Sequence, residues 1–376
     1  MKMTVGVGLL GCGTVGANVA ERLQRERDAI ERRSGVRYEL RAIAIRDPHK
    51  ARPDLLSRRV FTRDARSLVD DPHVDLVIEL IGGTSDAVEL VERALDRGCH
   101  VVTANKDLLA TQGPRLQALA RSRRTALRFE AAVAGAIPLL RVLDEALAGD
   151  EVLSVAGVVN GTCTSILSAM EEGGTYEDAL LSAQRLGYAE ADPSGDVNGA
   201  DTAHKVALVA QQAFGLAVVS PAISRSGIEE ITQRDVARAR MLGYRIRVVG
   251  AAVRAGDDVF AQAGPVLVPE AHDFARAAGA QNVVAVRARD AGELVLRGLG
   301  AGGVATSSAV LGDVVSVLRG LSERRDFATP ATTSRLRAPS AIHPLFDRLP
   351  RLAELPAFPV WDDGVTTAAA AAVVEA

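Results

Sequence analysis

The sequence predicts an α/β chain, with a parallel sheet wound by helices over the first third, followed by a second domain of α+β type. Three observations predict it. From Thr4 onward, apolar runs of strand length alternate with helical stretches, the arithmetic of βαβ units with right-handed crossovers. The first of these runs ends in Gly11-Cys12-Gly13-Thr14-Val15-Gly16 and a helix. Beyond Phe214 four further apolar runs alternate with helical stretches, which reads as an α+β domain with an open sheet. At 376 residues the chain is long enough for two separate cores.

Composition excludes several classes. The net charge of −3 is spread without blocks, so no basic face argues for nucleic acid. No apolar run approaches membrane-spanning length, and the N-terminus enters a strand with no leader pattern; a soluble cytoplasmic protein is expected. The 3 cysteines, Cys12, Cys99 and Cys163, are odd in number and lack metal-ligand spacing, which argues against a disulfide scaffold or a zinc site. The Ala-rich stretch near Ala368–Ala372 reads as a frayed tail.

Thr4–Leu10 is the first strand, and a helix is expected from Gly16 to about Arg33. Gly11 permits the tight turn, Gly13 lets backbone approach a pyrophosphate, and Gly16 lets helix pack on strand. With strand and helix in place, this is a Rossmann-type dinucleotide fingerprint, the phosphates resting over the helix N-terminus. The second strand, Tyr38–Ile45, ends at Arg46-Asp47-Pro48-His49-Lys50. An NAD site usually puts a carboxylate there; Arg46 and Lys50 suit a 2′-phosphate, so NADP is expected, while Asp47 leaves NAD open. Lys50 reads also as part of a charged surface turn. Val74–Leu80 and His100–Thr103 continue the strands, with a helix over Asp86–Arg97 between them. The segments Ile81–Thr84 and Thr103–Lys106 fall at strand C-termini, where such sheets bind ligands. Lys106 opens a helix there and is expected to face the nicotinamide; cations are poor neighbours for that helix end without such a reason.

Leu127–Val133 reads as a further strand, and Ala134–Pro138 as a hinge into the second domain before a helix to Ala148. Val152–Val159 is a strand, followed by Asn160-Gly161-Thr162 and a helix to Met170; Asn160 or Thr162 either caps that helix or presents polar groups to a ligand. A helix over Tyr176–Leu186 leads into a stretch holding Glu190, Asp192, Asp196 and Asp201, in which Pro193, Gly195 and Gly199 break any helix. A helix runs from Ala200 to a stop at Gly215, placing Asp201 and Lys205 one turn apart on one face. Alone this reads equally as an acidic surface loop with a surface ion pair. Ala203, Val206, Ala207, Ala210 and Phe214 make that helix apolar or small nearly all round, which places Lys205 at a cleft. Strands follow at Tyr244–Val253, Val259–Val268, Gln281–Val286 and Leu294–Leu299, with helices over Thr232–Leu242 and Glu270–Ala278. Gly298–Gly303 then leads into a helix over Ser307–Leu321 that returns to the first domain. The expected division is 1–135 with 302–325, then 136–301, then an irregular tail over 326–376.

In this order the motifs resemble those of the homoserine dehydrogenase family over about residues 4–320. The matching segments are GLLGCGTVG, VIELIGG (Val77–Gly83), VVTANK (Val101–Lys106), EAAVAGAIP (Glu130–Pro138), NGT (Asn160–Thr162), GYAEADPSGDVNGADTAHK (Gly187–Lys205), and GAGG with SAVLGD (Ser308–Asp313). The resemblance implies reversible NAD(P)-dependent interconversion of L-homoserine and L-aspartate 4-semialdehyde, in a homodimer whose second domain binds substrate and dimerises. By position, Lys205 resembles the proton donor, Lys106 a second cationic group, and Asp201 a residue that holds the substrate; paired with Asp201, Lys205 would also be held in place. Glu190, Asp196, Tyr188, Thr162 and Gly161 match substrate-binding positions. Gly13, Thr14, Val15, Arg46, Lys106 and Gly302 match cofactor contacts. Glu130, with the backbone carbonyls of Val133, Gly135 and Ile137, matches a monovalent cation site, sodium or potassium. Thr164, Leu299, Ala305 and Asp86 depart from the family pattern without removing any of these groups. The tail is expected to be too short for the amino-acid-binding regulatory module that many members carry. The alternatives are a paralogue acting on a related amino-acid semialdehyde, or an idle NADP-binding protein.

Overall fold

The computed structural model describes residues 4–50, 52–53, 55–186, 188–216, 223–323 and 335–336. It divides into two compact units, one running to Pro138 and taking up the chain again from Ala301, the other running from Leu139 to Gly300 with Arg335–Leu336.

In the first unit, β1 (Thr4–Leu10), β2 (Arg37–Ala44), β3 (Phe61–Thr62), β4 (Leu76–Glu79), β5 (His100–Thr103) and β6 (Leu127–Arg128) form one sheet in the order β3-β2-β1-β4-β5-β6. Every pairing in it is parallel. This is the doubly wound dinucleotide-binding order, with its topological switch between β1 and β4. β4 and β5 are buried at every position, as strands covered on both faces must be. One face packs the helices Thr14–Arg25 and Gly303–Glu323 through Val19, Leu23, Val310, Val314 and Val317. The other packs Ser85–Asp96 and Lys106–Arg123 through Leu90, Val91, Leu108 and Leu116.

In the second unit, β7 (Val152–Val158), β8 (Ser224–Arg225), β9 (Tyr244–Ala255), β10 (Asp258–Pro269), β11 (Gln281–Ala288), β12 (Gly292–Leu299) and β13 (Arg335–Leu336) form a sheet ordered β12-β11-β7-β9-β10-β13, with β8 also on β10. The long central pairings are antiparallel. The helix Ala200–Phe214 lies against this sheet so closely that a Cβ at Gly250 would stand 2.5 Å from Val206 and 2.9 Å from Thr202. That approach holds the first two turns of the helix, with Asp201 and Lys205, at a set height above β9.

Several elements differ from expectation. The first helix breaks at Glu26 (ψ 14°) into Thr14–Arg25 and Arg27–Ser34. The strand expected over Leu127–Val133 stops at Arg128, because the backbone leaves the extended region at Phe129 (ψ 35°) and enters a 3-10 turn over Glu130–Ala132, followed by left-handed Ala134 (φ 55°) and Gly135 (φ 61°). The helix expected to Ala148 is a short α turn, Leu139–Arg141, widening to a π turn over Val142–Ala146. Asp196 lies on a one-turn helix, Ser194–Val197, rather than in open loop. Glu270–Ala278 holds only a 3-10 turn, Asp273–Arg276. The helix Gly303–Ser322 does reach membrane-spanning length and apolarity, contrary to the expected absence of such a run. Half of it is buried, in the core just described. Apart from Arg335–Leu336, the expected tail lies outside the described residues.

Candidate active site

In the first unit, the glycine loop after β1 behaves as its three glycines suggest. Gly11 takes φ 95°, and its N–H donates to the Ala44 carbonyl at 2.9 Å, tying the loop to the end of β2. A Cβ at Gly16 would meet the Gly11 carbonyl oxygen at 2.2 Å, so only glycine lets this helix start so close to the strand. A Cβ at Gly13 would meet nothing within 4 Å, and the helix Thr14–Arg25 has no side-chain cap. Uncapped N–H groups facing open space fit a pyrophosphate. The late glycine turn packs here too: a Cβ at Gly303, next to Gly302 (φ 108°), would come within 3 Å of Thr14 and Asn18, and Arg22 donates to Ser307 Oγ at 3.2 Å.

Arg46 and Lys50 stand exposed just beyond β2. Asp47 turns its carboxylate to the His49 N–H (2.8 Å), while Arg52 donates to the carbonyls of Asp47 and Lys50, both at 2.9 Å. Burial raises the Cys12 thiol's pKa against the opposing charges of Arg52 and Lys50, which places both cations near the glycine loop. Arg52 was not singled out in the sequence.

Glu79 was also missed, although it lies within the VIELIGG segment. It is wholly buried at the end of β4. Its Oε1 accepts from the N–H groups of Ile81 (2.9 Å) and Gly82 (3.3 Å), and its Oε2 from the Thr103 hydroxyl (2.6 Å). Asn105 donates to the Gly83 carbonyl (2.6 Å) and caps the helix that Lys106 begins. Glu79, Thr103 and Asn105 thereby join the two loops at the C-terminal ends of β4 and β5. Burial raises the carboxyl's pKa, partly offset by these donors. Lys106 is half-buried.

Glu130 and Asp313 are buried, and the Glu130 N–H donates to Asp313 Oδ2 at 2.8 Å. Val133, Gly135 and Ile137 follow in the same buried turn. Among the described residues no group of three or more His, Cys, Asp or Glu side chains is placed to hold a metal ion. An ion here would depend on backbone carbonyls, the donors that hard cations take.

The second unit gathers Asp196, Asp201 and Lys205 around the junction of β7 with the helix Gly161–Glu171. Lys205 Nζ donates to the Val159 carbonyl at 2.6 Å and to Asp201 Oδ2 at 2.8 Å. Asn160 caps the helix, its Oδ1 accepting from the Cys163 N–H at 2.8 Å. Its Nδ2 donates to Asp196 Oδ1 and Asp201 Oδ2, both at 2.8 Å. The Thr162 hydroxyl lies within hydrogen-bond distance of the Tyr188 carbonyl (2.7 Å) and Asp196 Oδ2 (3.0 Å). Gly279 (φ 56°) faces the Tyr188 hydroxyl, and Ala280 backs Gly161. Asp196, Asp201, Lys205, Thr162, Gly161 and Tyr188 are thus brought together. Glu190 lies exposed on the adjoining loop, where its carbonyl accepts from Gln184 at 3.1 Å. Chemically, the cluster holds an ammonium beside two carboxylates and a hydroxyl, a set able to bind an amino acid and carry a proton.

The family model described as homoserine dehydrogenase matches residues 138–315, and the one described as homoserine dehydrogenase, NAD binding domain, matches residues 11–130. A homoserine dehydrogenase of Neisseria gonorrhoeae is 40% identical over 316 residues, 84% of this chain and 72% of that protein. The crystal structure of a homoserine dehydrogenase from Thiobacillus denitrificans is similar with a TM-score of 0.85 at 39% identity, over 89% of this chain and 80% of that one. A hyperthermophilic archaeal homoserine dehydrogenase in complex with NADPH is similar with a TM-score of 0.71 at 27% identity, over 84% and 98% of the two chains.

Proposed function

The chain belongs to the homoserine dehydrogenase family, NAD(P)-dependent oxidoreductases, and from that premise we propose how its residues divide the interconversion of L-homoserine and L-aspartate 4-semialdehyde. The observation that carries the assignment is the arrangement of Lys205, two of whose ammonium hydrogens go to the Val159 carbonyl and Asp201. An ammonium has three. The third is left for the substrate oxygen.

A nicotinamide dinucleotide, when bound, would supply or accept the hydride. In the direction of reduction, negative charge develops on the carbonyl oxygen, and Lys205 Nζ stabilises it and gives it a proton. In oxidation the same nitrogen, starting as the neutral amine, takes the hydroxyl proton and becomes the ammonium. Asp201 holds Lys205 in place. Asp196, Thr162, Gly161 and Tyr188 line the substrate position, and Glu190 receives the substrate ammonium as a charge-assisted partner. In the first unit, Gly11, Gly13, Thr14, Val15, Gly16 and Gly302 receive the pyrophosphate half of the cofactor, and Lys106 adds a cation beside its nicotinamide. Arg46 and Lys50 favour NADP over NAD, because they offer cations where a 2′-phosphate would lie and Asp47 is engaged by its own turn. A monovalent cation, sodium or potassium, is held by Glu130 and the carbonyls of Val133, Gly135 and Ile137. A homodimer is part of the same proposal, and solution scattering would test it.

The substrate assignment is tested with a series of amino-acid semialdehydes of increasing length. Its expected outcome is the highest kcat/KM on L-aspartate 4-semialdehyde. Equal or better turnover of a longer homologue would favour the related-semialdehyde reading.

A further inference from the structure

We propose that Asn160 is a positioning residue for the reaction, its side-chain amide locking the Asp196 and Asp201 carboxylates together and, through Asp201, aiming the Lys205 ammonium. The inference rests on the reading of Lys205 as the proton carrier. Asn160 is 2% exposed, and every polar atom of its amide is used. The Cys163 N–H can donate only to an oxygen, which fixes which way the amide faces. Its nitrogen then points both hydrogens at carboxylate oxygens, one on Asp196 and one on Asp201. A primary amide nitrogen has two hydrogens, so none is left over.

Two carboxylates converging on one nitrogen repel each other, and the donors between them decide whether that geometry survives. Lys205 supplies one such donor to Asp201, and Asn160 the other. The two differ when the reaction runs. As hydride reaches the carbonyl carbon, the C–H bond forms and the carbonyl π pair moves to oxygen. That oxygen then takes a proton from Lys205 Nζ, breaking one N–H bond and leaving a neutral amine. Asp201 loses its cationic neighbour at that moment. The Asn160 amide neither gains nor loses a proton, so its bond to Asp201 Oδ2 persists through the transfer. It holds Asp201 as the acceptor that keeps the Lys205 nitrogen aimed, and Asp196 at the substrate. The neighbouring backbone joins in: the carbonyl that receives Lys205 belongs to Val159, one residue before Asn160.

The capping role can be separated from the positioning role. Serine and aspartate both cap helices well. Serine has no pair of donors for two carboxylates, and aspartate brings a third negative charge to the same place. Asn160→Ser and Asn160→Asp therefore retain the helix start and lose the bridge. For Asn160→Ser we expect kcat/KM for L-homoserine to fall about 30-fold, from losses in both kcat and KM, with the KM for NADP within about twofold of wild type. Asn160→Asp should fall further, and the solvent deuterium effect on kcat should grow in both as proton transfer slows. A Ser variant within about threefold of wild type in kcat/KM would overturn the inference, as would a loss shared equally by the NADP KM. Should the Ser variant not fold, the Asp variant is judged by the same two criteria. Absence of homoserine turnover by the wild type would instead remove the reading of Lys205 on which the inference rests.

Discussion

Asp201 Oδ2 stands 2.8 Å from Lys205 Nζ, one turn along the same helix, with the two side chains only 6% and 13% exposed. Buried ion pairs cost desolvation when they form, but removing one partner leaves the other charge stranded. Asp201→Ala should therefore destabilise the chain by about 3 kcal/mol, more than a surface pair could account for. Urea unfolding at neutral pH measures it. A loss below about 1 kcal/mol would mean that solvent reaches the pair and that Asp201 does not hold the lysine.

The glycines of the dinucleotide loop separate fold from function. At Gly16 an added Cβ meets the Gly11 carbonyl at 2.2 Å, so Gly16→Ala should cost about 1–3 kcal/mol of stability by overpacking. At Gly13 an added Cβ touches nothing, so Gly13→Ala should change stability by no more than about 0.5 kcal/mol. It should nonetheless raise the cofactor KM about tenfold, since the methyl stands where the pyrophosphate is expected. Thermal unfolding with cofactor kinetics on both variants checks the contrast. An unchanged KM in Gly13→Ala would move the pyrophosphate elsewhere.

Arg46→Ala should raise the KM for NADPH about 10- to 100-fold and leave that for NADH nearly unchanged, the loss of a charge-assisted contact to phosphate. Equal losses for both would remove the 2′-phosphate assignment. Arg52, which holds the turn between Asp47 and Lys50, would then be the next residue to substitute.

Glu79 gives a pH signature. Its carboxyl pKa lies above the ordinary 4.5 because burial penalises the charge. A raised folded-state pKa means that the folded chain binds this proton more tightly than the unfolded chain. The stabilising contribution is complete below about pH 4.5 and is lost as pH rises through the folded value. Glu79→Gln cannot ionise, so its stability relative to wild type should improve as pH climbs from about 4.5 and then level off. Denaturant unfolding of both proteins across that range checks it, and a flat or falling difference would show a carboxyl ionised in both states alike.

Much of this was legible in the sequence, and what was not has physical causes. The βαβ alternation, the glycine loop and the helix from Ala200 to its stop at Gly215 depend on local chemistry, and the structure places them where expected. Strand length after Leu127 was not legible, because it ends where Phe129 turns out of the extended region (ψ 35°), and phenylalanine is itself a strand former. Asn160 read ambiguously as a cap or a ligand contact. It is a cap, and it also bridges two carboxylates 36 and 41 residues away, partners that no local pattern announces. Glu79 was hidden by its surroundings: a carboxylate in an apolar strand looks like an irregularity until Thr103 and the Ile81 and Gly82 amides are seen to surround it.

The most direct test of the proton-carrier assignment is L-homoserine oxidation by wild type and Lys205→Met, with NADPH binding measured on both. The expected result is wild-type turnover, a loss of at least about a hundredfold in the variant, and NADPH affinity unchanged within about twofold, since the role proposed for Lys205 is proton transfer and the NAD binding domain match lies in the first unit. A variant that keeps more than about a tenth of wild-type kcat would contradict it.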